Sequence, residues 1–339
     1  VADDGSQSSS KRPKGCDLEP TGVDTSDYFL DFRLPRGLMP DPQFAGKRAR
    51  IEVHRVRPVY AHGKCHGVPN RAIVLIHGRS IPGPVAFDIR HKDSEGRMIS
   101  LQESLARAGI DTFAPSLLGY GRSTRFDKGL NDPCNASFQA YNKETCLCES
   151  AGGCDHSSNQ TIFPLDQQEQ ALRVNPLAGR KCKHSSGYRF ARIDVWARDV
   201  KQVINDAIAR ARPDNNKVVL VGSSLGGVTT ARALYRLGDE APTKVQRVVF
   251  IASFFNKLFG PTGAEVPVSL PTEENKLSVT ALSTSFPMAL FAKSGGELAP
   301  EDDSGCPGRV ITGLNDALWE QLMKRDVLGR KWGGSVPMN

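Results

Sequence analysis

The sequence predicts an α/β fold: a mostly parallel sheet with helices on both faces, carrying a cysteine-rich insertion and a helical cap. Three observations support this. Continuous apolar runs end at glycine, as in AIVLIHG over 72–78 and KVVLVG over 217–222, the look of strands buried on both faces. Segments of helical periodicity stand between such runs. The order strand, helix, strand is that of right-handed crossovers, which place helices on the faces of a parallel sheet.

Taken in chain order, ARIEVHRVRPVY over 49–60 alternates through Ile51, Val53 and then Val56, predicting an early strand exposed on one face. AIVLIHG follows as a buried strand. RMISLQESLARAG over 97–109 sets Met98, Leu101 and Leu105 at helical spacing and stops at Gly109, a natural helix end. IDTFAPSLLGYGRS is the next strand, running into a loop at Gly119 and Gly121. In IDVWARDVKQVINDAIARAR, Trp196, Val200, Val203, Ile204, Ala207 and Ile208 form one helical stripe, broken after Pro213. KVVLVG, the helix SLGGVTTARALYRL over 224–237 and the strand VQRVVFIASFF over 245–255 complete the alternation. Residues 256–339 read as a cap or lid, with a helix over 315–324 that turns Leu318, Leu322 and Trp319 inward.

The 339 residues allow one large domain with an insertion, and 39% hydrophobic content is enough for a full core. The organisation expected is a disordered segment 1–15, a core over 16–255 that includes the insertion 126–190, and the cap 256–339. The chain starts at Val1, and its polar opening residues read as the frayed start of a processed chain. No window approaches the roughly 18 apolar residues of a membrane-spanning helix, so no integral membrane segment is expected. The net charge of +7 is scattered, with no zinc-finger, helix-turn-helix or aromatic RNA-binding signature. Nucleic acid is therefore not an expected partner.

Eight cysteines, at 16, 65, 134, 146, 148, 154, 182 and 306, favour disulfides and an oxidising compartment, secreted, extracellular or periplasmic. The insertion holds five of them. An odd number cannot pair internally, so full oxidation would tie it to Cys16, Cys65 or Cys306. Zinc is the competing reading, because Cys146, Cys148, Cys154, His156, Cys182 and His184 are suitable ligands. Their spacing does not match paired C-x2-C knuckles, and disulfides are expected.

The chemistry lies in Gly222-Ser223-Ser224-Leu225-Gly226, a G-x-S-x-G turn between a strand and a helix. Such a turn forces its central residue into a strained conformation that lifts the side chain into the site, and the flanking positions need small residues. Ser224 is central and is the candidate nucleophile. A phosphate-binding turn is the bland alternative, but the G-x-G-x-x-G spacing and the P-loop lysine are absent.

With IVLIHG ending one strand, GYGRS following the next and LVGSSLGG at the elbow, the chain resembles the α/β-hydrolase superfamily over roughly 49–255. The resemblance implies an oxyanion hole of two backbone N–H groups, from Leu225 and Arg79, and gives His77 an architectural role. It also implies an acid and then a histidine after the serine. The histidines stand at 54, 62, 66, 77, 91, 156 and 184, all before Ser224. Three explanations stay open. The last two strands, with acid and base, lie on a segment missing from this chain; or Glu297, Asp302 or Asp303 is the acid and His156 or His184 the base; or the fold binds without catalysis.

The expected function is cleavage of a carboxylic ester, small or lipid-like, through an acyl-enzyme on Ser224, with no cofactor or metal implied. The insertion and Phe254-Phe255 would form lid and acyl pocket. The alternatives are a non-catalytic binding protein, or haloperoxidase or C–C hydrolase chemistry on the same scaffold.

Overall fold

The computed structural model describes residues 15–36, 42–78, 81–93, 95–125, 193–253, 258–259, 265–266 and 314–325. Strands β1 (Gly22–Arg33), β2 (Arg48–Val59), β3 (Arg71–Ile76), β4 (Ile110–Ser116), β5 (Val218–Ser223) and β6 (Val245–Ile251) form one sheet in the order β1-β2-β4-β3-β5-β6. The pairs β1-β2 and β2-β4 are antiparallel and the other three neighbouring pairs are parallel. A short antiparallel pair, β7 (Leu258–Phe259) and β8 (Glu265–Val266), stands apart from the sheet.

Helices α1 (Gly83–Phe87), α2 (Leu101–Arg107), α3 (Ile193–Ala211), α4 (Leu225–Leu237), α5 (Ala241–Lys244) and α6 (Leu314–Arg325) surround it. On one face Val74, Ile76, Phe113 and Leu220 pack against Trp196, Val200, Val203 and Ile204 of α3 and Ala233 and Leu237 of α4. The expected α3 stripe is thus the buried one. On the other face Ile73, Leu75, Ala114 and Val221 meet Phe87 of α1 and Leu105 of α2. α6 packs Leu318 and Leu322 onto Val85 of α1, as their spacing predicts.

Three local expectations are corrected. α2 is shorter than read, because the Ser100 hydroxyl accepts the Glu103 N–H and caps it there, and Leu101 faces outward at 39% exposure. β1 was not anticipated, and its pairing along the whole of β2 supplies the sheet's outer edge. The polar face of β2, expected in solvent, is exposed at Arg48 and Arg50 but buried in its middle, where Glu52 and His54 are 0% and 2% exposed. Their burial is possible because every charge is matched. His54 meets Asp27 at Nδ1 (2.6 Å) and Asp88 at Nε2 (2.8 Å), while Glu52 accepts from Arg122 (2.7 Å) and Arg325 (2.7 Å). Two carboxylates can only accept, so both ring nitrogens donate and the ring is an imidazolium. Burial opposes that charge, but the hydrogen bonds that His54 donates to Asp27 and Asp88 outweigh it and hold the His54 pKa above its ordinary value.

A disulfide joins Cys16 to Cys65, tying the start of the described chain to the turn between β2 and β3. Neither cysteine therefore bridges the insertion, which leaves Cys306 as its possible outside partner. The insertion, Cys306 and the zinc alternative lie outside the described residues. No helix among the described residues is long and apolar enough to cross a membrane.

Candidate functional site

The strand order fixes where a site can form. β3 has β4 on one side and β5 on the other, so the chain moves one way from β3 and returns across it to enter β5. At such a switch point the two crossovers diverge and leave a crevice beyond the carboxyl ends of the strands. Ile76 is paired with Gly222, so His77-Gly78 and Ser223-Ser224 emerge side by side into that crevice.

Ser224 is the residue before α4 and has φ 52° and ψ −125°, a conformation costly for any residue with a Cβ. The flanking glycines explain how the turn closes. A Cβ on Gly222 would lie 2.6 Å from Gly227 Cα, and one on Gly226 would lie 2.6 Å from the His77 carbonyl oxygen. The positions two before and two after Ser224 thus have no room for a side chain, which is the physical content of the G-x-S-x-G spacing. The Ser224 N–H donates to the Ile251 carbonyl (2.9 Å), and the Ser224 carbonyl accepts from the Gly227 N–H (3.0 Å) and the Ser253 hydroxyl (2.7 Å). Ser224 is exposed, and its hydroxyl meets no hydrogen-bond partner among the described residues.

Leu225 is the first residue of α4. Its N–H belongs to the group that an α-helix leaves without an internal acceptor, at the positive end of the helix dipole. Arg79 lies outside the described residues. Gly78, which precedes it, is packed directly on the elbow: a Cβ there would come within 2.9 Å of Ser224 Cβ and 3.4 Å of its Oγ.

His77 stands beside this group but points away from it. Its Nδ1 donates to the Gly78 carbonyl (2.6 Å) and its Nε2 accepts from the Leu117 N–H (3.1 Å). Both nitrogens are therefore occupied in a neutral ring. Burial pulls its pKa down to about 4. Tyr120 packs edge-on against it at 4.6 Å, and Trp196 supports Tyr120 while donating to the Leu118 carbonyl (3.2 Å). The Asp199 carboxylate accepts the Leu118 N–H (2.9 Å). The loop after β4 is thereby locked against the one after β3.

Among the described residues no histidine pairs with Ser224. His54 lies on β2, the third strand over from β5, where Asp27 of β1 and Asp88 after α1 hold it. It borders a cleft of roughly 580 Å³ that is also lined by Thr25, Asp88 and Arg90 and by Lys324 and Arg325 of α6. His156, His184, Glu297, Asp302, Asp303, Phe254 and Phe255 all lie outside the described residues. Gly227 and Ser253 went unread in the sequence, since their contact depends on the register between β5 and β6.

A family model described as "Alpha/beta hydrolase family" matches residues 73–334. No curated protein matches the chain. Among solved structures, a laboratory-evolved variant of potato epoxide hydrolase is 16% identical, covering 69% of this chain and 42% of its own, with a TM-score of 0.31. An esterase from Exiguobacterium antarcticum is 13% identical, covering 62% and 44%, with a TM-score of 0.31. A thioesterase domain from the curacin biosynthetic pathway is 12% identical, covering 93% and 72%, with a TM-score of 0.36. The chain spans less than half the length of the potato enzyme it matches.

Proposed function

Because the chain belongs to the alpha/beta hydrolase family, matched over residues 73–334, we propose that it is a serine hydrolase that cleaves carboxylic esters through an acyl-enzyme on Ser224. The observation that carries this reading is the strained backbone of Ser224, φ 52°, at the head of α4 with its hydroxyl open to the crevice.

The Ser224 oxygen attacks the ester carbonyl carbon as a base takes its proton. The carbonyl oxygen becomes an oxyanion that accepts from the Leu225 N–H and, in the same role, the Arg79 N–H. Collapse expels the alcohol with a proton and leaves the acyl group on Ser224. Water then attacks that carbonyl, and the acid departs as the serine proton is restored. Each N–H contributes roughly 2.7–4 kcal/mol to transition-state stabilisation by comparison with other such donors. Among the described residues no histidine is placed to act as that base, since His54 is held by Asp27 and Asp88 and both nitrogens of His77 are occupied. Secretion is part of the proposal, supported by the Cys16–Cys65 disulfide.

A second reading, a binding protein on the same scaffold, is favoured by one observation: the Ser224 hydroxyl lacks a base among the described residues. Hydrolysis of a p-nitrophenyl ester separates the two. The enzyme reading expects turnover that Ser224→Ala lowers by roughly 10⁴-fold or more and Ser223→Ala leaves largely intact. Equal rates in wild type and Ser224→Ala would remove it.

A further inference from the structure

Two neighbouring strands are each followed by a residue with unfavourable positive φ. Ser224 after β5 has φ 52° and Ala252 after β6 has φ 45°, and neither is glycine. Such residues persist where their surroundings over-determine them, and they concentrate at functional sites. Here the two strand ends hold each other. Ile251 accepts the Ser224 N–H, and two residues later the Ser253 hydroxyl donates to the Ser224 carbonyl at 2.7 Å.

Room for that second bond is reserved in the sequence. Gly227 lies outside the G-x-S-x-G spacing, yet a Cβ at this position would overlap the Ser253 side chain and lie 2.9 Å from the Phe250 ring. The backbone of α4 therefore lacks a side chain at the point where Ser253 reaches β5. The Gly227 N–H is the second donor to the same Ser224 carbonyl, at 3.0 Å.

The carbonyl of Ser224 and the N–H of Leu225 belong to one peptide unit. That unit is planar and trans, so its C=O and N–H point in opposite directions and cannot turn independently. A donor that fixes the carbonyl also fixes the direction of the N–H. We propose that Ser253 is a positioning residue: by holding the Ser224 carbonyl it aims the Leu225 N–H into the crevice as an oxyanion donor. The inference rests on the Ser224 reading and adds to it a residue at the exit of β6 that acts through the Ser224 carbonyl. Oxyanion donors act through preorganised direction, so a peptide unit free to rock loses transition-state stabilisation while substrate binding is spared.

The test compares wild type with Ser253→Ala in two measurements. Labelling by a fluorophosphonate should slow by about tenfold, and kcat on a p-nitrophenyl ester should fall by a similar factor with KM unchanged. Amide exchange at Gly227, whose N–H shares that acceptor, should quicken by about tenfold as the Ser224 carbonyl, no longer held by Ser253, rocks out of line with it. Wild-type labelling and kcat in Ser253→Ala would overturn the proposal. If wild type itself resists the probe and the ester, the serine hydrolase reading falls separately. Exchange at Gly227 then still decides the tether, and an unchanged rate would overturn it.

Discussion

Gly78 rests on the candidate nucleophile: a Cβ at position 78 would come within 2.9 Å of Ser224 Cβ and 3.1 Å of the Ser223 carbonyl oxygen. The loop that precedes Arg79 is thus in van der Waals contact with the elbow. Gly78→Ala should push the two apart by a fraction of an ångström. Misplacement on that scale costs catalysis far more than stability, up to about 10²-fold per ångström. Ester turnover is expected to fall by roughly ten- to a hundredfold while the thermal midpoint moves little. A fully active Gly78→Ala variant would detach this loop from the site.

The two buried histidines should leave opposite marks on stability. His54 has a pKa raised by Asp27 and Asp88 against the cost of burial. Its contribution is present in full below its ordinary 6.5 and is lost as pH rises through the folded value. Asp27 and Asp88 are both depressed, despite burial, by hydrogen bonds from His54, with Arg325 aiding Asp27, and Ser100 and Arg90 aiding Asp88. Their contributions disappear as pH falls instead. His77, depressed to about 4 by burial, adds an acid limb, since the unfolded chain takes up its proton below 6.5. Urea unfolding of wild type and His54→Gln between pH 6 and 9 should show a stability gap that narrows as pH rises. A gap that widens would contradict the imidazolium assignment.

The Cys16–Cys65 bridge closes a loop with a sequence separation of 49. On loop-closure grounds its loss should cost roughly 4 kcal/mol. Replacing both cysteines with serine should lower the urea midpoint accordingly and leave the elbow chemistry unaltered.

α6 reaches the core through Leu322, which is 0% exposed and packs with Leu318 on Val85. Leu322→Ala should cost about 2–5 kcal/mol of stability, read by denaturant unfolding. A neutral substitution would mean that this helix is not part of the cooperative unit.

Local sequence carried much of this architecture. VVLVGSSLGG shows strand, elbow and helix start together because each demands a distinct residue type within ten positions, and Leu318 and Leu322 reveal α6 by spacing alone. β1 was illegible: GVDTSDYFLDFR alternates at Tyr28, Leu30 and Phe32, but three aspartates on a half-exposed edge strand blur the pattern. Glu52 and His54 looked solvent-facing because the partners that make their burial tolerable are remote. Asp88 is 34 residues from His54, and Arg325 is 273 from Glu52. Ser253 gave no signal either, since its acceptor is 29 residues back on another strand. Short-range periodicity reports burial only where the neighbours are apolar; a matched buried charge is a property of the assembled sheet.

The proposed nucleophile is Ser224 and not the adjacent Ser223. Fluorophosphonate labelling followed by mass-spectrometric mapping of the modified peptide tests it most directly. One adduct per chain is expected, on Ser224, abolished in Ser224→Ala and retained in Ser223→Ala. An adduct on any other residue, or labelling that survives Ser224→Ala, would contradict it.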